Sequence, residues 1–465
     1  MGIPKTVIIF AFLAFLIAYA SSQASPVKWW DEAVYLSLGW NLHNDPLNYS
    51  FYNFGDRNFD WWDRSGFRAP LLPYTLAGIY SIFGFNEAIL NLLLPIISGI
   101  GVLLVYILAR RVFDEKVALY SAILLTFLPL YNFYSGKVLT DVYASVLITS
   151  SVVCFWLGFE KGDKRFKIGT GVVVALAILA RYVSIILPIA FLIYLIIKNR
   201  NINFLKDKYI WIAILAFLLT LSPLFYYGYK TYGNVLGPFI HGQKATSYWG
   251  GNQPWSFYFS NFIRMFSLIW IFFVLGLYSI FTKKNTAILL LLIWFFSFLI
   301  FATALPHKED RFLLPLVSPL VIISALAIKN LKYGDVIMVF LILISLTVTA
   351  SWLINTYNGQ NQEEVGCFFK AIDFMKNLDK NSLVFTDSSP LVYYYTHLEN
   401  HFYTDQYSEV KDLIRTYYEN RTIYMLWSKY DNPRDSRNEL NNDTEFETVF
   451  KCPNDGSLAL IYKHL

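Results

Sequence analysis

The sequence predicts an α-helical polytopic membrane protein with a small C-terminal α/β domain. Three observations carry this reading. Of 465 residues, 56% are hydrophobic and only 15% charged, against roughly 25% charged in soluble domains. The charge is unevenly placed. Residues 355–465 hold 11 Lys/Arg and 17 Asp/Glu, close to a soluble composition, while residues 1–354 hold 27 and 16. Apolar runs long enough to span a bilayer, about 20 residues each, recur through the first part and stop there. The expected division is a membrane domain over 1–354, with its first outer loop at 21–87, and a soluble domain over 355–465. This composition disfavours a single soluble enzyme, a disordered chain and a nucleic-acid binder.

Eleven spans are expected. The first is the short run 7–20 behind Lys5, which with Ala18-Tyr19-Ala20 also fits a secretory signal and its cleavage site. A retained anchor is preferred, because the residues just after it look functional. Spans follow over 88–109, 117–134 and 138–159. Residues 168–197 form a 30-residue apolar stretch broken only by Arg181, too long for one helix. It reads as two short helices meeting at Arg181-Tyr182. The remaining spans are 209–227, 264–281, 286–304, 312–328 and 335–354. With Lys5 inside, the cytoplasmic loops total 41 residues and 16 Lys/Arg, whereas the outer segments before residue 355 total 115 residues and 11. This fourfold difference in density agrees with the positive-inside rule and puts the C-terminus outside.

The sequons Asn48-Tyr49-Ser50, Asn420-Arg421-Thr422 and Asn442-Asp443-Thr444 all fall outside in this arrangement. Cys154 lies in an apolar run. Cys367 and Cys452, both in the tail, either remain free thiols or form one disulfide if the tail is extracytoplasmic. Within the tail, 363–378 and 408–419 read as helices, and 382–386, 422–427 and 457–462 as strands, the alternation of a small α/β domain.

The spans are nearly free of charged residues, unlike the interior of an ion-coupled transporter, so chemistry is expected at the outer surface. Three segments there stand out. In the first, Trp29-Trp30-Asp31-Glu32-Ala33-Val34-Tyr35 opens the long loop and Arg64-Ser65-Gly66-Phe67-Arg68-Ala69-Pro70-Leu71 closes it. Asp31 or Glu32 is a candidate general base; the same pair also suits a solvated helix N-terminus. In the second, Asp141 opens the fourth span from the outer side, with the same two readings. In the third, Leu305-Pro306-His307-Lys308-Glu309-Asp310-Arg311-Phe312-Leu313-Leu314-Pro315 packs five ionisable residues into a short loop. Such a cluster is either boundary charge or a phosphate site, where Arg offers a bidentate fork and Lys a point charge.

In this order the three segments resemble the GT-C superfamily of polyprenyl-phosphate-sugar-dependent glycosyltransferases. The branch they approach holds protein O-mannosyltransferases and lipid A aminoarabinose transferases. The likeness covers roughly residues 1–330, and His307-Lys308-Glu309-Asp310-Arg311-Phe312 also resembles a segment of lipid-linked mannosyltransferases. It implies Asp31 as the catalytic carboxylate, Asp141 as a second active-site acid and Arg68 as a contact to the lipid phosphate. Ala69 replaces a proline that is common in the family. His307, Lys308 and Arg311 are further choices for the phosphate, and Glu32 is a further acid. Tyr35, Arg181 and His241 are candidates for sugar or acceptor contacts, the last within an outer loop, 228–264, that helps select the acceptor.

The implied reaction moves a sugar from a polyprenyl (dolichyl) phosphate to a protein, lipid or glycan at the outer face, with inversion. The fold implied is GT-C-like. No Gly-rich phosphate loop or His-Glu-x-x-His zinc motif is present. No metal site is expected, and a divalent cation is the one candidate cofactor. Partners are the lipid-linked donor, the acceptor and membrane lipids. The site and the tail are extracytoplasmic, in the cell membrane if the source is prokaryotic. Trp61-Trp62-Asp63 invites a second comparison, with oligosaccharyltransferase catalytic subunits, although in that family the motif belongs to the C-terminal domain. A non-enzymatic channel, transporter or scaffold is the alternative from another class.

Overall fold

The computed structural model describes residues 2–25, 27–49, 68–248, 253–282, 286–359, 362–402, 407–417, 421–430 and 440–465. Trp61-Trp62-Asp63, Arg64 to Phe67, Trp249 to Asn252, Ser50 of the first sequon and Asn420 of the second lie outside the described residues.

In chain order the first helices are α1 (Lys5–Gln23), α2 (Trp30–Asn44), α3 (Leu71–Phe83), α4 (Glu87–Leu90), α5 (Leu93–Val112) and α6 (Glu115–Thr126). Next come α7 (Pro129–Ser135), α8 (Thr140–Phe155), α9 (Lys164–Ala180), α10 (Ile186–Asn199), α11 (Lys208–Tyr232) and α12 (Gly237–Tyr248). They continue as α13 (Phe257–Phe266), α14 (Ile269–Thr282), α15 (Thr286–Ala304), α16 (Val317–Lys329) and α17 (Gly334–Gly359). The tail holds α18 (Gln362–Lys376), β1 (Leu383–Thr386), α19 (Ser389–Thr396), β2 (Glu399–Phe402), α20 (Tyr407–Tyr417), β3 (Ile423–Ser428), β4 (Phe446–Cys452) and β5 (Ala459–His464). Two compact units result. One comprises Met1–Ala24, Gly66–Leu72 and Phe85–Leu353, and the other Ser25–Ser65, Pro73–Gly84 and Ile354–Leu465.

The first unit is a helical bundle in which α1 packs on α5, α8 on α5 and α9, α9 on α11, and α16 on α6 and α14. Each of the eleven segments expected to span is helical. Among the described residues, eight helices are long and apolar enough to cross a membrane, and ten if each of two bent pairs counts as one span. The expected eleventh is α9, which has 17 residues and carries Lys164, Arg165 and Lys167 at its start. The bends have local causes. Pro129 begins α7 without an N–H to continue the ladder of α6, and the pair turns by 56°. Ser267, at φ 56°, separates α13 from α14, and that pair turns by 111°. The expected break at Arg181-Tyr182 is present: Arg181 is extended, and a 3-10 turn (Tyr182–Ile185) leads into α10.

Small residues set how closely the helices approach. A Cβ on Gly136, between α7 and α8, would lie 2.5 Å from the backbone nitrogen of Ser22 and 2.7 Å from the carbonyl oxygen of Ala18. With the Ser21 hydroxyl donating to the Phe133 carbonyl at 2.9 Å, this locks α1 beside the start of α8. Further along, the Ser145 hydroxyl donates to the Leu314 carbonyl at 2.8 Å, and Thr149 and Ser318 hydroxyls bond at 2.7 Å. These contacts fix α8 against the 3-10 segment Asp310–Leu316 and α16.

The second unit is built on a five-stranded sheet in the order β2-β1-β3-β5-β4. β1 is parallel to both its neighbours, whereas β5 runs antiparallel to β3 and β4. Leu383, Phe385, Val410, Ile414, Met425, Trp427 and Leu460 form its core. Cys367 and Cys452 are joined in a disulfide that ties α18 to β4, and Cys154 of the first unit is free. The helix α2 lies on α19: the Tyr393 hydroxyl donates to Asn41 Oδ1, and the Trp40 ring stacks on His397 at 4.9 Å. The five tail elements expected from sequence are all present, and α19, β2 and β4 are additional.

Candidate active site

In the first unit a charged cluster surrounds the N-terminal end of α8. Asp141 sits in the first turn, where the helix dipole favours an acid, and only 2% of its side chain is exposed. Its carboxylate pairs with the Arg181 guanidinium, which also donates to the Thr140 hydroxyl at 3.3 Å. Arg181 is aimed this way because the chain leaves α9 in extended form at that residue. Its guanidinium also lies over the Phe312 ring, 5.1 Å from the centroid, a contact that adds to holding a cation in place.

The 305–316 segment supplies the rest. Arg311 is buried and makes a bidentate pair with Glu309, at 2.7 and 2.8 Å, and it approaches Phe312 from 6.0 Å. His307 Nε2 is 3.1 Å from Glu309, and Asp310 pairs with Arg264 of α13. Lys308 is used differently. Its buried ammonium donates to the carbonyls of Gln253 and Leu305, at 2.9 and 2.6 Å, and so pins the 253 strand of chain to this loop. Arg68 is buried, and its backbone carbonyl accepts from the Tyr182 hydroxyl at 3.2 Å. One short break, Arg181-Tyr182, thus touches both Asp141 and the Arg68 segment.

Of the residues singled out from sequence, the first unit therefore gathers Asp141, Arg181, His307 and Arg311 around Phe312 and Glu309, with Arg68 joined through Tyr182. His241 stands on α12 with its ring stacked on Tyr232 at 4.2 Å, while Phe239 of the same helix packs on Tyr182 at 4.8 Å. Asp31, Glu32 and Tyr35 belong to α2 of the second unit. Glu32 is buried and accepts from the backbone N–H of Trp29 at 3.0 Å, closing the start of its own helix. Asp31, in the same turn, is half-buried, and Tyr35 is buried. Sequence reading missed Glu309 as the hub for His307 and Arg311, Tyr182 as a link, and Lys137, a fully buried lysine 5.9 Å from the Phe133 ring. The first lay within the run of ionisable residues and the second at the break already read from sequence, whereas no local signal marked Lys137 for burial.

Comparison with known proteins bears on this cluster. Residues 67–227, which hold Arg68, Asp141 and Arg181, match the family described as dolichyl-phosphate-mannose-protein mannosyltransferase. The solved structure of ArnT from Cupriavidus metallidurans bound to undecaprenyl phosphate is 12% identical and superposes with a TM-score of 0.76, covering 99% of this chain and 98% of that one. The oligosaccharyltransferase of Archaeoglobus fulgidus in its apo form is 14% identical with a TM-score of 0.63, covering 91% of this chain and 69% of that one. The chain shares the fold of these two proteins. Among curated relatives, the alpha-1,2-mannosyltransferase ALG9 of Arabidopsis thaliana is 24% identical over 300 residues, 61% of this chain and 50% of that protein. The GPI alpha-1,2-mannosyltransferase 3 of Xenopus laevis is 26% identical over 296 residues, 60% and 54%. The chain spans about half the length of the curated relatives it matches. The family match, these relatives and the structural neighbours all fit the resemblance read from sequence.

Proposed function

We propose that this chain is a membrane glycosyltransferase that moves a sugar, in the manner of its mannosyltransferase relatives, from a polyprenyl-phosphate donor to an acceptor at the extracytoplasmic face. The observation that carries the reading is the cluster around Phe312. Arg181 pairs with the buried Asp141, and Arg181, Arg311 and His307 all approach the Phe312 ring, inside a fold shared with a protein solved with undecaprenyl phosphate.

The mechanism follows from charge. As the glycosidic bond breaks, the lipid phosphate gains negative charge, which fixed cations stabilise. Arg311, oriented by its pair with Glu309, supplies one such cation. The acceptor hydroxyl gives its proton to a carboxylate, the role that the resemblance implies for Asp31, as its oxygen attacks the anomeric carbon from the side opposite the phosphate. One displacement inverts the centre. Among the described residues no group of three or more His, Cys, Asp or Glu side chains is arranged to hold a metal, and no step is routed through one. The extracytoplasmic placement is supported by the charge asymmetry of the loops and by the Cys367–Cys452 disulfide, a bond that persists in oxidising compartments.

The test is transfer in vitro from synthetic polyprenyl-phosphate sugars, mannose first, with the anomeric configuration of the product determined. Transfer with inversion supports the proposal. A chain that binds no lipid phosphate and transfers no sugar from any such donor overturns it.

A further inference from the structure

We infer that α13 is a membrane-surface helix: an apolar stripe on it lies at the boundary between lipid headgroups and acyl chains, and ties at both its ends hold the 305–316 segment at that depth. Only the reading of 305–316 as the phosphate segment rests on the proposed function. The sides of α13 differ in what they meet. Tyr258, Met265 and Phe266 are buried in the bundle. Trp255, just before the helix, and Phe259 and Ile263 on it recur at every fourth residue and so fall in one stripe. These three are exposed by 73%, 48% and 60%, and the Trp255 and Phe259 rings meet at 6.0 Å. Ser260, one residue on from Phe259 and thus turned by about 100°, is also exposed and forms a polar edge. Its hydroxyl donates to the Phe257 carbonyl at 2.9 Å. A contiguous row of large apolar side chains marks a surface made to meet a partner.

The bilayer surface is the partner that fits. At Ser267 α13 turns by 111° from α14, so it runs across the end of that membrane helix and does not extend it. Beyond the turn the exposed stripe continues as Ile271, Val274 and Leu275 of α14, the surface that a membrane helix turns to lipid. A tryptophan with large apolar neighbours on one side and a polar edge on another is the composition of a helix lying in the interface. Both ends of α13 are tied to the same loop. Before the helix, the Gln253 N–H donates to the Pro306 carbonyl at 3.2 Å, and the Gln253 carbonyl accepts from the Lys308 ammonium at 2.9 Å. In its last turn, Arg264 pairs with Asp310 and lies over the Trp352 ring of α17, 5.5 Å from the centroid. Lipid contact along the stripe therefore fixes the 305–316 loop from two sides, at the depth where the phosphate of a lipid-linked donor lies.

The experiment uses the full chain in phosphatidylcholine nanodiscs, with the free Cys154 replaced by Ala. Nitroxide labels are placed singly through Phe259→Cys, Ile263→Cys and Ser260→Cys, and their collisions with oxygen and with a water-soluble nickel chelate are measured. The labels at 259 and 263 are expected about 5–10 Å below the lipid phosphates, and the label at 260 in water. Labels at 259 and 263 as open to nickel as that at 260 overturn the inference. So do labels at mid-bilayer, which mark a re-entrant segment, and labels closed to both reagents with spin–spin broadening, which mark a second copy of the chain. Hydrogen exchange then tests the clasp. The Phe259→Asn, Ile263→Asn double variant and Arg264→Met should each speed amide exchange in 305–316 by about threefold or more. Arg264→Met should leave the depth of the label at 259 unchanged, which separates the tie from the anchor. If the double variant fails to fold, Ile263→Ser alone takes its place. Exchange at the wild-type rate in both variants overturns the clasp. No readout here requires sugar transfer, so loss of the proposed function would leave the placement of α13 to be decided by these measurements alone.

Discussion

Asp31 and Glu32 are neighbours of the same chemistry in different surroundings. The Glu32 carboxylate is buried and bound to the Trp29 N–H at the start of α2, whereas Asp31 faces a half-open environment in the same turn. Of the two, Asp31 is the acid proposed to meet an acceptor. Asp31→Asn is expected to abolish turnover while binding of polyprenyl phosphate survives, since the amide keeps the size but takes no proton. A kcat close to wild type would remove Asp31 from the mechanism. The proposed phosphate contacts are tested at the same scale. Arg68→Ala and Arg311→Ala should each weaken polyprenyl-phosphate binding by about 1.5–3 kcal/mol, the usual value of a charge-assisted contact. Titration of both variants and of the double variant with the lipid phosphate checks this, and non-additive losses mark a shared site. Lys308→Ala should act through folding of the loop, because its donors go to the Gln253 and Leu305 carbonyls.

Among the elements, α1 owes its place to a glycine. Adding a methyl at Gly136 pushes it into the backbone of Ala18 and Ser22, atoms that cannot swing away. Gly136→Ala should lower stability by about 1–3 kcal/mol, the usual cost of overpacking, read as a drop in melting temperature of the detergent-solubilised chain. In the tail, burial and the nearby Arg421 guanidinium push His401 of β2 down to about 4 from an ordinary value of 6.5. The folded chain thus keeps His401 neutral where the unfolded chain already binds a proton. The stabilisation is complete above the unfolded value and is lost as pH falls from 6.5 towards 4. It amounts to about 3 kcal/mol in all, at 1.36 kcal/mol per unit. His401→Phe, which keeps a ring against Phe385, should flatten that acid-side loss, as followed by thermal unfolding of the full chain at neutral and mildly acidic pH. An unchanged pH dependence would assign the loss to other groups.

For the whole molecule, the proposed outward placement rests on the loop charges and is tested by a reporter fused after Leu465. Activity of a reporter that works only outside the cytoplasm is expected; activity of one that works only inside would reverse the topology. The helices were legible in the sequence, because a bilayer admits only long apolar stretches that satisfy their own backbone. The break at Arg181-Tyr182 was legible for the same reason, as the single charge in 30 apolar residues. The candidate side chains were also readable, since so few ionisable groups interrupt the apolar pattern. The partners of those groups were not. Local sequence shows neither that Arg181 pairs with Asp141 of another helix nor that Lys308 spends its donors on carbonyls. Nor does it show that β2, with buried Asn400 and His401, belongs in a sheet. Composition and periodicity decide which segments leave water, because that cost is set residue by residue. Which charges meet once they have left it is decided by packing between distant segments, where an unpaired buried ion is too costly to keep.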